Sequence, residues 1–192
     1  LETRDLEQIH FVMGFGGVPV GSDDYYALSV LSNLFGGGMS SRLFQEIRER
    51  RGLVYSIDTF LSGFSDGGVF GIYAGTGPEL MDEFVPAVCG EISRLADSLG
   101  DVEIARARTQ LKSGLLMGME STGARSERAG QQMLLYGRVV SVAELVEKID
   151  RVTPEMLANV ARKTFSTMPA LATVGPAAGA ASIDAIRSRL AA

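Results

Sequence analysis

Between residues 8 and 15, the apolar side chains Ile9, Phe11, Met13 and Phe15 alternate with Gln8, His10, Val12 and Gly14. Period-two alternation is the signature of a strand with one buried face, and it aims His10 away from the main core. After the turn-rich "GGVPVG" the period lengthens: Ala27, Leu28, Leu31, Leu34 and Phe35 follow helical spacing, with Ser22 or Asp23 available as a cap. Three glycines, Gly36 to Gly38, end that helix. A second short helix is predicted over 40–50, with Leu43, Phe44 and Ile47 inward and Gly52 as its stop. Strands are predicted over 53–61 and 68–76, joined by "SGFSDGG" and paired antiparallel.

Beyond Thr76 the pattern is mostly helical. "TGPE" supplies Thr76 as a cap, Pro78 for the first turn and Glu79 as the reciprocal member of a capping box, opening a helix to about residue 98. Further helices are predicted over 101–120, 122–136, 141–149 (Ser141 and Glu144 as a second capping box) and 154–165. A last strand over 170–174 precedes "GPAAGAA", read as a flexible link, and a terminal amphipathic helix. Strands and helices are partly segregated, with hairpin-type connections, so the predicted class is α+β, a mainly antiparallel sheet covered by helices.

Length and composition narrow this picture without changing it. A chain of 192 residues forms one domain over 1–192, burying roughly 70% of the surface its unfolded form exposes. Net charge is -5, so the arginines at 48, 50 and 51 lie on an acidic molecule, and nucleic acid is not expected as a partner. The lone Cys89 cannot form an internal disulfide, and it sits in a helical pattern where a small buried residue fits. No apolar run reaches the ~18–20 residues of a membrane span, and the opening "LETRDLEQIH" has no signal-peptide layout. Neither a membrane nor a secreted location is expected, which leaves the cytoplasm; the opening without methionine reads as a segment of a longer polypeptide.

Chemistry is tightly restricted by a single histidine. Zinc sites of the HExxH or HxxEH type need two histidines one helical turn apart, so no zinc is expected in this segment. Ser-His-Asp or Cys-His catalysis would have to run through His10, read as a sheet-surface residue, and no G-x-S-x-G turn is present. "GGGMSS" meets neither phosphate-loop pattern and reads as a tight connection needing positive φ, with Ser40 or Ser41 as the next cap. Glu46 and Glu49 with Arg42 and Arg50 read as a solvated helix face with i,i+4 pairs.

The stretch "FGGGMSSRLFQEIRERRGLVYS" resembles the C-terminal homologous half of the pitrilysin and insulinase-type zinc metallopeptidases, the inverzincin family that includes the mitochondrial processing peptidase. The resemblance extends through "QIHFVMGFGGVP", "DYYALSVLSNLFGGG", "GGVFGIYAGTGPE", "ARTQLKSGLLMGMESTGARSERAG" and "LATVGP", so it covers nearly the whole chain. It implies a processing-peptidase-like fold and a partner, the N-terminal homologous half or subunit that carries HxxEH and the zinc. It also implies that an arginine and a tyrosine seven residues later, here Arg48 and Tyr55, reach a peptide substrate and stabilise the transition state. Without the resemblance, Tyr55 shares strand parity with Leu53, Ile57 and Leu61 and reads as a core or half-buried tyrosine, and Arg48 reads as a cation favoured at a helix C-terminus.

The resulting expectation is a substrate-binding half, inactive alone, of a zinc endopeptidase that cleaves peptides or unfolded segments inside a closed chamber. Two other readings stand beside it: a non-catalytic subunit pairing with a separate zinc-bearing chain, and a structural relative without peptidase work. An isolated domain would expose the face that meets its partner half, so weak self-association is expected.

Overall fold

The computed structural model describes residues 2–176 and 182–190. Five strands, β1 (Glu2–Thr3), β2 (Ile9–Gly16), β3 (Ser56–Gly63), β4 (Gly68–Thr76) and β5 (Ala170–Gly175), form one sheet in the order β1-β5-β2-β4-β3. The β2–β4, β3–β4 and β2–β5 pairs are antiparallel, and the short edge pair β1–β5 is parallel. The fold is therefore α+β, as the segregation of elements predicts. β1 has no counterpart in the sequence reading, because two exposed residues carry no periodicity.

The helices are α1 (Tyr25–Gly36), α2 (Met81–Leu95), α3 (Asp101–Gly118), α4 (Thr122–Tyr136), α5 (Val142–Asp150), α6 (Pro154–Phe165) and α7 (Ile183–Leu190). Ile9, Phe11, Met13 and Phe15 of β2 are buried, as are Phe70, Ile72 and Ala74 of β4. This face is covered by helices. The Phe165 ring of α6 meets Phe15, Phe35 and Phe70 edge-on, with centroids 5.0–6.0 Å apart, and Phe84 of α2 meets Phe11 at 5.1 Å. Such pairs add about 0.5–1.5 kcal/mol each beyond the area they bury.

On the opposite face stand His10, Val12, Tyr73, Val69, Asp58 and Phe60, none of them fully buried. The Phe60 ring sits over Gly71, where a Cβ would come within 2.1 Å of it, so only glycine lets the ring cover the backbone there. Cys89 is buried, and burial pushes its thiol pKa up. No described helix is long and apolar enough to cross a membrane. Most of "GPAAGAA", 177–181, lies outside the described residues.

Several expected caps are replaced by other contacts. Thr76 caps nothing: it ends β4 fully buried, and its hydroxyl donates to the Leu53 carbonyl at 2.6 Å. A 3-10 turn, Pro78–Leu80, leads into α2 instead. Asp24 precedes α1, and Ser22 accepts from the Asp24 N–H rather than from the helix. Neither Ser40 nor Ser41 caps the following helix, and the buried Ser41 hydroxyl has no partner among the described residues. Ser141 does accept from the Glu144 N–H at 3.2 Å, but the Glu144 carboxylate turns away to Arg138.

Candidate functional site

Arg48 and Tyr55 lie on either side of one sharp reversal. Residues Phe44–Arg50 are wound as a π-helix, a wide winding that often marks functional positions. Its end is closed by Gly52 at φ +65°, in the left-handed region, where glycine carries no Cβ penalty. The Gly52 N–H bonds the Arg48 carbonyl at 3.1 Å and the Leu53 N–H bonds the Ile47 carbonyl at 3.0 Å. Both closing rings are one residue wider than in a Schellman cap. Leu43, Ile47, Leu53 and Val54 anchor the reversal in the core.

Strand pairing begins later than 53. The Tyr55 N–H already bonds the Gly75 carbonyl at 2.8 Å, and β3 starts at Ser56. With Leu53 and Val54 both buried, alternation breaks at the reversal. Tyr55 is consequently 65% exposed rather than turned into the core with Ile57.

The guanidinium of Arg48 is held from three sides. Its Nε donates to the Tyr55 carbonyl at 2.9 Å, Nη1 to Glu49 Oε1 at 2.9 Å, and its Cζ lies 4.7 Å from the centroid of the Phe44 ring. The pair is thus coupled through the tyrosine backbone, leaving the Tyr55 ring free. Phe44 was expected inward; it is half-buried, and its face serves as the arginine platform. The Phe44–Arg48 spacing of four was visible in the sequence, but a backbone acceptor across the reversal has no sequence signature.

The remaining arginines divide. Arg50 and Arg51 both pair with Glu46 at the surface, at 2.9 and 3.1 Å, as expected for a solvated face. Burial acts to raise the Glu46 pKa, but hydrogen bonds from Arg51 and Arg50 leave it lowered on balance. Arg42 does not join that face. It is largely buried and crosses to α3, donating Nε to Glu103 Oε2 at 2.8 Å and Nη1 to Ser98 Oγ at 2.7 Å. The Gly100 N–H also bonds Glu103, at 2.7 Å. Arg42 therefore ties the start of the π-helical segment to the first turn of α3.

Beside this corner, on the open sheet face, His10 Nδ1 lies 2.9 Å from the Tyr73 hydroxyl, with the two rings stacked. His10 and Ser56 both stand opposite Gly75, on either side of β4, so the histidine shares the end of the sheet with Tyr55. Asp58, opposite Tyr73, has its pKa raised by burial. The histidine is a sheet-surface residue with a phenol partner. Among the described residues no group of three or more His, Cys, Asp or Glu side chains is placed to hold a metal ion.

The fold matches solved structures closely. A chain of a complex III2 structure from Candida albicans with Inz-5 bound superposes with a TM-score of 0.89 at 22% identity, covering 98% of this chain and 48% of that one. A conserved protein from Enterococcus faecalis gives 0.78 at 22% identity, over 94% of this chain and 42% of the other. At this identity the likeness concerns fold alone.

Sequence comparison supplies the family. Residues 1–111 match the family described as the peptidase M16 inactive domain, and the chain belongs to it, in agreement with the resemblance carried by its motifs. An uncharacterized zinc protease of Streptomyces coelicolor is 40% identical over 174 residues, which is 90% of this chain and 38% of the relative. The uncharacterized zinc protease YmxG of Bacillus subtilis is 34% identical over 174 residues, 90% of this chain and 42% of the relative. The chain thus spans about two fifths of the length of these relatives.

Proposed function

We propose that this chain is the substrate-holding, non-zinc half of a two-half zinc endopeptidase, inactive alone, in which Arg48 and Tyr55 meet the peptide inside a closed chamber. Zinc is assigned to the homologous half, carried on the same polypeptide or on a separate subunit. The observation that carries this reading is the reversal at Gly52. It brings the Tyr55 carbonyl to Arg48, which Glu49 and Phe44 of its own segment also hold, and turns a tyrosine out to solvent against strand parity.

Arginine offers a planar set of donors suited to peptide carbonyls. A phenol offers a neutral O–H, and such a donor aimed at a carbonyl oxygen that gains charge during hydrolysis is worth ~3–4 kcal/mol in the transition state. Anchoring by Leu43, Ile47, Leu53 and Val54 means that little ordering is required at the moment of reaction. The test is hydrolysis of an unfolded peptide by the intact protein carrying Arg48→Ala together with Tyr55→Phe. A loss of at least ~100-fold in kcat/KM with zinc content unchanged is expected; full activity overturns the assignment.

A further inference from the structure

α4 is held to the rest of the molecule by few contacts. Gln132 is its one fully buried residue among those described, and its Oε1 accepts from the Val140 N–H at 3.0 Å; the Tyr136 hydroxyl donates to the Val20 carbonyl at 3.1 Å. Two adjoining cavities, about 650 and 460 Å³, open between α4 and the body formed by α1, α3 and α5. They share Tyr25, Tyr26, Arg128 and Leu145. Either lies within the ~300–1,000 Å³ that small-molecule sites occupy.

The polar groups in this common wall, the Arg128 guanidinium and the two phenols, can all donate, and Asn33 Oδ1, on the larger cavity, is an enclosed acceptor with no donor among the described residues. Arg128 is half-buried, and among the described residues its enclosed Nε has no acceptor and no carboxylate lines the larger cavity. Glu127, on the smaller one, is exposed and bonded by Gln131. The Tyr25 and Tyr26 rings stand edge to face at 5.6 Å. Burial and the neighbouring Tyr25 push the Tyr26 pKa up, so its phenol is a donor at neutral pH. Lys148 lies over the Tyr26 ring, 5.3 Å from its centroid, and is itself paired with Glu144. Leu111, Leu145 and Ile149 supply apolar lining.

An enclosed donor without an acceptor costs its full desolvation energy, and an arriving ionised acceptor recovers it. A guanidinium fork matches the two oxygens of a carboxylate. We infer that the cavity between α1, α3, α4 and α5 binds a carboxylate carried on a compact apolar body, with Arg128 gripping the oxygens and Tyr26 adding a donor. Two sources share that chemistry, the C-terminal residue of a peptide and a free branched-chain acid. Only the peptide source rests on the peptidase reading; the carboxylate site stands apart from it.

Titration calorimetry on the intact protein with N-acetyl-leucine, its C-terminal amide and 4-methylpentanoate tests this without any hydrolytic step. The acid is expected to bind, the amide to bind at least ~10-fold more weakly, and Arg128→Gln to weaken the acid by a similar factor. Tyr26→Phe, which leaves the helix packing intact, is expected to give a smaller loss. N-acetyl-leucine binding more tightly than 4-methylpentanoate assigns the site to peptide ends; equal binding assigns it to free acids. Equal affinity for acid and amide, no effect of Arg128→Gln, or no binding of any probe overturns the inference. Loss of hydrolysis in the Arg48 and Tyr55 variants with acid binding retained separates this site from the proposed function.

Discussion

Arg48 and Arg128 are both partly exposed cations on helices, yet their surroundings differ. Arg48 is fixed by a backbone carbonyl, a carboxylate and an aromatic face, and the reversal that carries it is anchored by fully buried residues on both sides. Arg128 has its Nε enclosed with no acceptor among the described residues, on a helix that leaves Leu134 89% exposed. One arginine is built into the scaffold before any ligand arrives, which is what rate acceleration asks for. The other gains its partner from the ligand, which is what a binding site asks for.

The contrast breaks most visibly in stability. Phe70→Ala, beneath the sheet that carries the Arg48 corner, is expected to cost about 3–5 kcal/mol, whereas Leu134→Ala on α4 should stay within about 0.5 kcal/mol. Urea denaturation of both variants reads this directly; comparable losses would show that α4 is packed as firmly as the sheet. A smaller effect is expected from Arg42→Ala, which severs the tie between the π-helical segment and α3. Loss of charge-assisted bonds there should cost about 1–3 kcal/mol, and a variant as stable as the parent would detach the corner from α3.

The smallest expected effect is on the acid limb of stability. Hydrogen bonds from Arg138 hold the Glu144 pKa at about 2, below its ordinary 4.5. A carboxylate whose pKa is lowered by folding contributes stability above its unfolded pKa and loses it as pH falls toward the folded one. Glu144→Gln should therefore flatten part of the decline in thermal stability between pH 4.5 and about 2, modestly because the pair is solvated. An unaltered limb would remove Glu144 from the account.

The sequence made the periodic parts of the fold legible and left the aperiodic corner obscure. Ile9 through Phe15 announce β2, and the helical spacing from Ala27 to Phe35 announces α1, because burial on one face repeats. Parity by itself makes Tyr55 core or half-buried, and it fails where Leu53 and Val54 are both buried; the motif resemblance, not periodicity, singles the residue out. π-winding leaves no mark on the pattern, since Leu43 and Ile47 satisfy α-spacing equally well. Helical spacing pairs Arg42 with Glu46, one turn on, because the competing acceptor Glu103 is far away in sequence. Arg128 carries no sequence signal, for an enclosed Nε with no acceptor among the described residues is recognisable only in three dimensions.

Tyr55→Phe in the intact protein tests the central claim most directly, since it removes one oxygen from an exposed ring and disturbs no described packing. A fall of roughly 100- to 1,000-fold in kcat for peptide hydrolysis is expected, with KM and bound zinc little changed. Undiminished kcat in that variant, at full zinc content, would contradict it.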